Sequence, residues 1–214
     1  FKFRGASNYL AKLAEQNQLP QRIVANSSGN HAQAVARAGH TYGIDTTIFA
    51  AQSISEIKAA ATRAYGAQLN TYPTRPEADA AVKDASGQAG TVWIPPFNHP
   101  DIIAGQGTVV MEAIEQIGEV DAVFAPCGGG GLLSGSLLAT RALLPDALVI
   151  GSEPQVANDA SRSLQTGEIQ SLPGPVKTLA DGAATPAVGE FTFPILQELD
   201  DFYEVSEQQI AYWT

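Results

Sequence analysis

The chain predicts an α/β protein: parallel sheet with helices on both faces. Two observations carry this. Short apolar, β-branched runs alternate with longer stretches of helical period. The hairpin dipeptides Asn-Gly and Asp-Gly occur only at Asp181-Gly182, without flanking alternation. Strands not joined by hairpins are joined by crossovers, and crossovers make parallel sheets.

Taken in order, residues 8–18 read as a helix with Leu10, Leu13 and Ala14 on one face, and 22–25 (RIVA) as a strand. An alanine-rich helix runs from Gly29 or Asn30 to Gly39, followed by strand 46–50 (TTIFA) and helix 55–65, which Ser55 can cap. Strand 68–71, helix 76–88 and strand 91–94 come next. A helix from Gly105 or Gln106 to Ile117 leads to strand 121–125 (DAVFA), a glycine turn, helix 132–143 and strand 148–152. Ser206, with an acidic first turn behind it, opens a last helix. Turn-rich breaks fall at Leu19-Pro20 and at Asn98-His99-Pro100-Asp101. They divide the chain into a small inserted lobe, 22–99, and a larger lobe made of 1–21 and 100–214. A cleft between two lobes is a natural ligand site.

At 214 residues the chain can bury a sizeable core, and 44% hydrophobic with 16% charged residues is an ordinary globular balance. A net charge of −10 argues against a general nucleic-acid or anionic-membrane surface. One cysteine, Cys127, permits no internal disulfide and fits a reducing, cytoplasmic compartment. No apolar run reaches transmembrane length and no signal-peptide pattern is present.

Four segments carry chemistry. The run Pro126-Cys127-Gly128-Gly129-Gly130-Gly131-Leu132 follows an apolar strand and opens a helix. Bare backbone amides at a helix start hold anions. The spacing fits neither the dinucleotide fingerprint nor a nucleotide P-loop. A compact phosphate monoester is the better match, and a nucleotide-binding module the weakest reading. The second segment, Asn26-Ser27-Ser28-Gly29-Asn30-His31-Ala32-Gln33, has more polar groups than a helix cap needs and could hold a carboxylate. Lys2, between Phe1 and Phe3, becomes a nucleophilic amine only if desolvated, and those rings could supply the apolar setting. Glu153 and Asp159, with a carbonyl between them, could form one corner of a divalent-cation site; ordinary surface acids are the alternative. The three histidines are scattered and Cys127 has no partner, so no zinc pattern arises.

In this order, the motifs resemble the serine/threonine dehydratase and serine racemase family, the two-lobed fold-type II pyridoxal-phosphate enzymes. Phe1-Lys2-Phe3-Arg4-Gly5-Ala6 looks like the family's lysine motif, Ser27-Ser28-Gly29-Asn30-His31 its substrate loop and the tetraglycine its phosphate loop. Ile103-Ala104-Gly105-Gln106-Gly107-Thr108 and Leu179-Ala180-Asp181-Gly182 are further signatures. The resemblance implies that Lys2 attaches pyridoxal 5′-phosphate and moves the α-proton on one face. Ser28 would serve as acid/base on the other. Ser27, Asn30 and His31 would meet the substrate carboxylate, Asn30 also the cofactor. Gly128, Gly129, Gly130, Gly131 and Leu132 would hold the phosphate. Glu153, the Ala157 carbonyl and Asp159 would bind magnesium or calcium, and Asn98 would lie beside cofactor or substrate.

The family's strand before the lysine and its C-terminal segment, which partners the pyridine nitrogen, are absent, so a piece of a longer chain is expected. The implied activity is a dehydratase (ammonia-lyase) acting on serine, threonine or 3-hydroxyaspartate, in a cytoplasmic homodimer. An amino-acid racemase with eliminase side activity is the near alternative, and a non-catalytic metabolite-binding fragment the alternative from another class.

Overall fold

The computed structural model describes residues 1–214 and divides into two compact units, Lys2–Pro96 and Phe97–Thr214, the latter also holding Phe1.

In the Lys2–Pro96 unit, α1 (Lys2–Glu15) precedes β1 (Arg22–Asn26), α2 (Asn30–Tyr42), β2 (Asp45–Ala51), α3 (Glu56–Ala64), β3 (Gln68–Tyr72), α4 (Arg75–Ser86) and β4 (Thr91–Trp93). The four strands lie in the order β3-β2-β1-β4, all parallel. β1 is central, and Ile23, Val24 and Ala25 are fully buried, as a strand covered on both faces requires. Side chains alternate between those faces. Val24 and Phe49 pack with Ala78, Val82 and Ala85 of α4. Ile23 and Thr46 lie against Gly39 of α2 on the other side. Parallel pairing sets Ile23 beside Thr46 and Asn26 beside Phe49, so the two cores stay separate.

Helix α1 begins at Lys2, six residues before the expected start at 8. Burial of Gly5, Ala6 and Leu10 along one face outweighs the poor helix propensity of Gly5. That face packs on α2, so Lys2–Glu15 fall with the β1–β4 sheet rather than with residues 100–214.

The second unit holds α5 (Pro100–Ile117), β5 (Ala122–Pro126), α6 (Gly131–Leu143), β6 (Leu148–Pro154), α7 (Asp159–Thr166), α8 (Phe193–Leu196), β7 (Asp201–Val205) and α9 (Glu207–Trp213). Its strands run parallel in the order β5-β6-β7. Ala125, Cys127, Leu133, Leu137, Val149, Ala160, Phe193 and Leu196 form the core, with Phe202 packed on it. Helices α5 and α6 cross at Gly107 and Gly135, where a Cβ on Gly107 would stand 2.5 Å from the Gly135 carbonyl oxygen.

Helix α5 starts at Pro100, earlier than expected. The segment read as a turn-rich break is a helix start: the His99 ring accepts from the Asp101 amide (3.2 Å), and Pro100 occupies the first turn. Helices α7 and α8 and strand β7 were not anticipated. No helix is long and apolar enough to cross a membrane.

Candidate active site

In the first unit the chain passes from β1 to β2 and β3 on one side, then returns to β4 on the other. The strand order therefore reverses between β1 and β4. In open α/β sheets ligands bind at the carboxyl ends of strands flanking such a reversal. The loops emerging there are Ser27-Ser28-Gly29 and the Pro95-Pro96 segment.

The first loop leads into α2 without capping it. Gly29 is the N-cap residue and supplies no side-chain bond. The two serines are turned elsewhere: Ser27 Oγ accepts from the Gly29 amide (3.1 Å) and Ser28 Oγ from the Ala51 amide (3.2 Å). The cap reading of this segment is thus set aside, and the first-turn amides of α2 remain available. A Cβ on Gly29 would meet nothing within 4 Å, so the space beside it is open.

Carbonyls of Ile94 and Pro96, at and just past the end of β4, hold the two ionisable groups. His31 Nε2 lies 2.9 Å from the Ile94 carbonyl oxygen, and Lys2 Nζ donates to that of Pro96. Burial lowers the Lys2 pKa to about 8, bringing a neutral amine within reach near physiological pH. The flanking Phe1 and Phe3 are themselves 48% and 44% exposed. His31 is pushed down to about 3, first by burial and then by the Lys2 charge, against the bond to Ile94. Its Nδ1 is buried without a hydrogen-bond partner.

In the second unit, β5 ends at Pro126 and the tetraglycine turns into α6. Gly130 is the N-cap residue, with φ of 89°, a left-handed conformation that favours glycine. Gly129 is demanded by packing, since a Cβ there would lie 2.4 Å from the Phe97 ring. Much of the glycine signal therefore reflects Phe97, and Gln106 beside Gly131, pressed against the turn. What remains for a ligand is backbone: α6 has no side-chain cap, and the turn leaves amides at its amino end for an anion. Leu132 lies in that first turn. These features fit the phosphate of pyridoxal phosphate, as the half-buried Lys2 amine fits its aldehyde.

Thr192, unanticipated from sequence, shapes this turn. It is fully buried, and its hydroxyl donates to the Gly129 carbonyl (2.8 Å) while accepting from the Gly189 amide (2.9 Å). A lone threonine after a helix-poor stretch carries no recognisable pattern. Asn98, expected beside cofactor or substrate, has its Oδ1 bonded to the Phe191 amide (2.8 Å).

The acidic pair lies in the same unit. Glu153 accepts from the Ala160 (3.3 Å) and Ser161 (2.7 Å) amides, closing the amino end of α7. Burial, then the Asp159 charge, outweigh those bonds and raise its pKa to about 8. Asp159 is raised to about 7 by burial. The Asp159 and Val188 amides favour its charged form, yet neither of its oxygens has a partner in hydrogen-bonding geometry. Ala157 is fully buried beside them in sequence. Nowhere do three or more His, Cys, Asp or Glu side chains gather as metal ligands. Cys127 is buried and its thiol is pushed well up by burial and these two acids, so it is an inert core residue.

The class these features define is a parallel α/β protein with an anion cradle at one helix start and a desolvated lysine beside another. The family model for the pyridoxal-phosphate-dependent enzymes matches residues 1–214, and the chain belongs to that family. It is 43% identical over 213 residues to an L-threo-3-hydroxyaspartate ammonia-lyase of Saccharomyces cerevisiae, covering 99% of this chain and 65% of that protein. It is 42% identical over 212 residues to a serine racemase of Schizosaccharomyces pombe, covering 98% and 65%. Among solved structures, maize serine racemase superimposes with a TM-score of 0.92 at 35% identity, covering 99% of this chain and 64% of that one. The chain thus spans about 65% of the length of these curated relatives.

Replacing Thr192 by valine keeps its shape and removes the hydroxyl that bridges the Gly129 carbonyl and the Gly189 amide, leaving those two only a long mutual bond (3.4 Å). Thermal unfolding should show a loss of about 1–3 kcal/mol for Thr192→Val and less than about 1 kcal/mol for Thr192→Ser; a larger loss for the serine than for the valine variant would mean that the methyl, not the hydroxyl, matters.

Proposed function

We propose that the complete protein is a pyridoxal-phosphate-dependent ammonia-lyase that dehydrates a 3-hydroxy amino acid such as serine, threonine or 3-hydroxyaspartate, releasing an oxo-acid and ammonia. The observation that carries the reading is the uncapped start of α2 at the sheet's reversal point, with Lys2 held on the adjoining Pro96 carbonyl. Relatives named as ammonia-lyases support it. The cofactor, when bound, supplies an electron sink for the substrate's α-carbon.

The chain's residues do the rest. Gly128, Gly129, Gly130, Gly131 and Leu132 receive the phosphate on backbone amides. Lys2 attaches the cofactor and moves the α-proton on one face; its lowered pKa lets the amine act as a base near neutrality. Ser27, Asn30 and His31 contact the substrate, whose carboxylate sits at the α2 amides, and Asn30 also touches the cofactor.

Racemisation is the second reading, favoured by Ser28. Its oxygen accepts from the Ala51 amide, so its own hydrogen is free to be given to the opposite face of the α-carbon. Relatives named serine racemase, 42% and 36% identical to this chain, support this reading. A panel of serine, threonine and 3-hydroxyaspartate, read for oxo-acid and enantiomer together, separates the readings. Lys2→Ala should abolish both activities. Ser28→Ala should reduce racemisation about 100-fold while elimination from the L-substrate falls far less; equal loss removes the two-face assignment. No turnover by a cofactor-loaded protein would leave a metabolite-binding role.

We also assign magnesium or calcium to Glu153, the Ala157 carbonyl and Asp159. Two buried Asp159 oxygens lacking partners support a cation there. After chelator treatment, saturating cation should add about 2–3 kcal/mol of stability at roughly 100 times its Kd, and Asp159→Asn should lose the gain. An unchanged melting curve removes the site. The complete protein is read as a cytoplasmic homodimer, from the single cysteine and the family resemblance; sedimentation equilibrium reads the dimer directly.

A further inference from the structure

Two threonines reach the tetraglycine turn, and the fold itself engages only one of their hydroxyls. Thr192 commits its hydroxyl to the turn, donating to the Gly129 carbonyl (2.8 Å) and accepting from the Gly189 amide (2.9 Å). Thr185 stands at the first glycine: a Cβ on Gly128 would lie 2.9 Å from Thr185 Oγ1, 3.1 Å from the Gly182 carbonyl oxygen and 3.3 Å from Ala183 Cα. Thr185 is half-buried and its hydroxyl has no partner in the chain, so the oxygen stays within reach of a ligand.

The backbone that carries Thr185 is tied on both sides. Asp181–Ala183 form a short 3₁₀ turn, with the Ala183 amide bonded to the Ala180 carbonyl (2.8 Å). The Thr185 amide donates to the Ala183 carbonyl (2.8 Å), and the Pro186 carbonyl accepts from the Leu172 amide (2.8 Å). A group held this way loses little freedom when it binds. The turn also borders open space: Gly182 is exposed, and a Cβ there would meet nothing within 4 Å. Within the cradle Gly129, Gly130 and Gly131 are buried, while Gly128 and Leu132 are half-buried. An incoming anion therefore has access at the Gly128 end, beside Thr185.

We propose that Thr185 is a phosphate ligand: its hydroxyl donates a hydrogen bond to an oxygen of the anion that the α6 amides receive, alongside Gly128. Bare amides at a helix start accept any compact anion. A hydroxyl adds a donor aimed from the side, and a hydrogen bond to a charged acceptor is stronger than one to a neutral group. The Leu179-Ala180-Asp181-Gly182 segment then has a physical role, since it leads the chain into the turn that presents Thr185. This inference rests on the proposed pyridoxal-phosphate chemistry and adds a side chain to a cradle otherwise made of backbone.

The test titrates the complete protein, stripped of cofactor, with pyridoxal phosphate and with pyridoxal, which has the aldehyde but no phosphate. Thr185→Val keeps the shape and removes the donor. It should weaken pyridoxal phosphate about tenfold, the scale of a hydrogen bond to a charged group, and leave pyridoxal unchanged. Thr185→Ser keeps the hydroxyl and should bind both as the wild type does. The 31P resonance of the bound cofactor should move in the valine variant and stay in place in the serine variant. Cofactor-free Thr185→Val should unfold at the wild-type temperature, because its hydroxyl holds nothing in the chain.

An equal loss for both aldehydes, a serine variant as weak as the valine one, or a lower unfolding temperature of the cofactor-free valine variant each overturns the inference. Wild-type protein that takes up pyridoxal phosphate no better than pyridoxal overturns the phosphate cradle of the proposed function together with it. A normal preference for pyridoxal phosphate that survives in Thr185→Val overturns this inference alone.

Discussion

The structure turns on backbone donors that the chain itself leaves unsatisfied. Every helix begins with amides that cannot bond within it, and a folded protein normally finds them partners. This chain does so for α3, α4, α5 and α9, capped by Ser55, Thr74, His99 and Ser206. For α7 the Glu153 carboxylate takes the role. The short α8 has no side-chain cap either, but its first amide is bonded to the Gly189 carbonyl (2.8 Å). At α2 and α6 neither solution is used: each begins at a glycine with no side-chain bond. These are the helices that follow Ser27-Ser28 and the tetraglycine. Given the care taken elsewhere, two open helix starts are suited to anions supplied from outside, which is what the proposed function asks of them.

The surroundings of the two starts differ in kind. At α6 the turn is built by packing: Phe97 and Gln106 press against glycines, and buried Thr192 holds the Gly129 carbonyl. The cradle is thereby preorganised, and its rigidity costs nothing when an anion arrives. At α2 the surroundings are ionisable. Ile94 and Pro96 present carbonyls to His31 and Lys2, and burial drives both toward their neutral forms. An amine whose pKa is lowered to about 8, beside a neutral imidazole, suits proton transfer better than ion pairing.

Much of this was legible in the sequence, for identifiable reasons. The strands RIVA, TTIFA and DAVFA are dense in apolar residues, and the structure places strands at Arg22–Asn26, Asp45–Ala51 and Ala122–Pro126. The glycine run and the Ser-Ser-Gly-Asn-His segment stand out because local polarity or flexibility exceeds what a turn needs. What was hidden depends on distant contacts. The start of α1 at Lys2 follows from burial of Gly5 and Ala6 against α2, which composition alone does not reveal. Asn98-His99-Pro100-Asp101 carries both turn and helix-start signals, and His99 Nδ1 accepting from Asp101 decides between them. Thr192 and the Ile94 carbonyl act across 63 residues of sequence each, on Gly129 and His31, and no local pattern marks either.

Amide hydrogen exchange on the complete protein tests the open-helix account most directly. With pyridoxal phosphate bound, exchange should slow at the amides of 128–132, and addition of serine should further slow those of 30–32. Unchanged exchange at both helix starts on loading would contradict the account, because the anions would then be held by something other than these backbone donors.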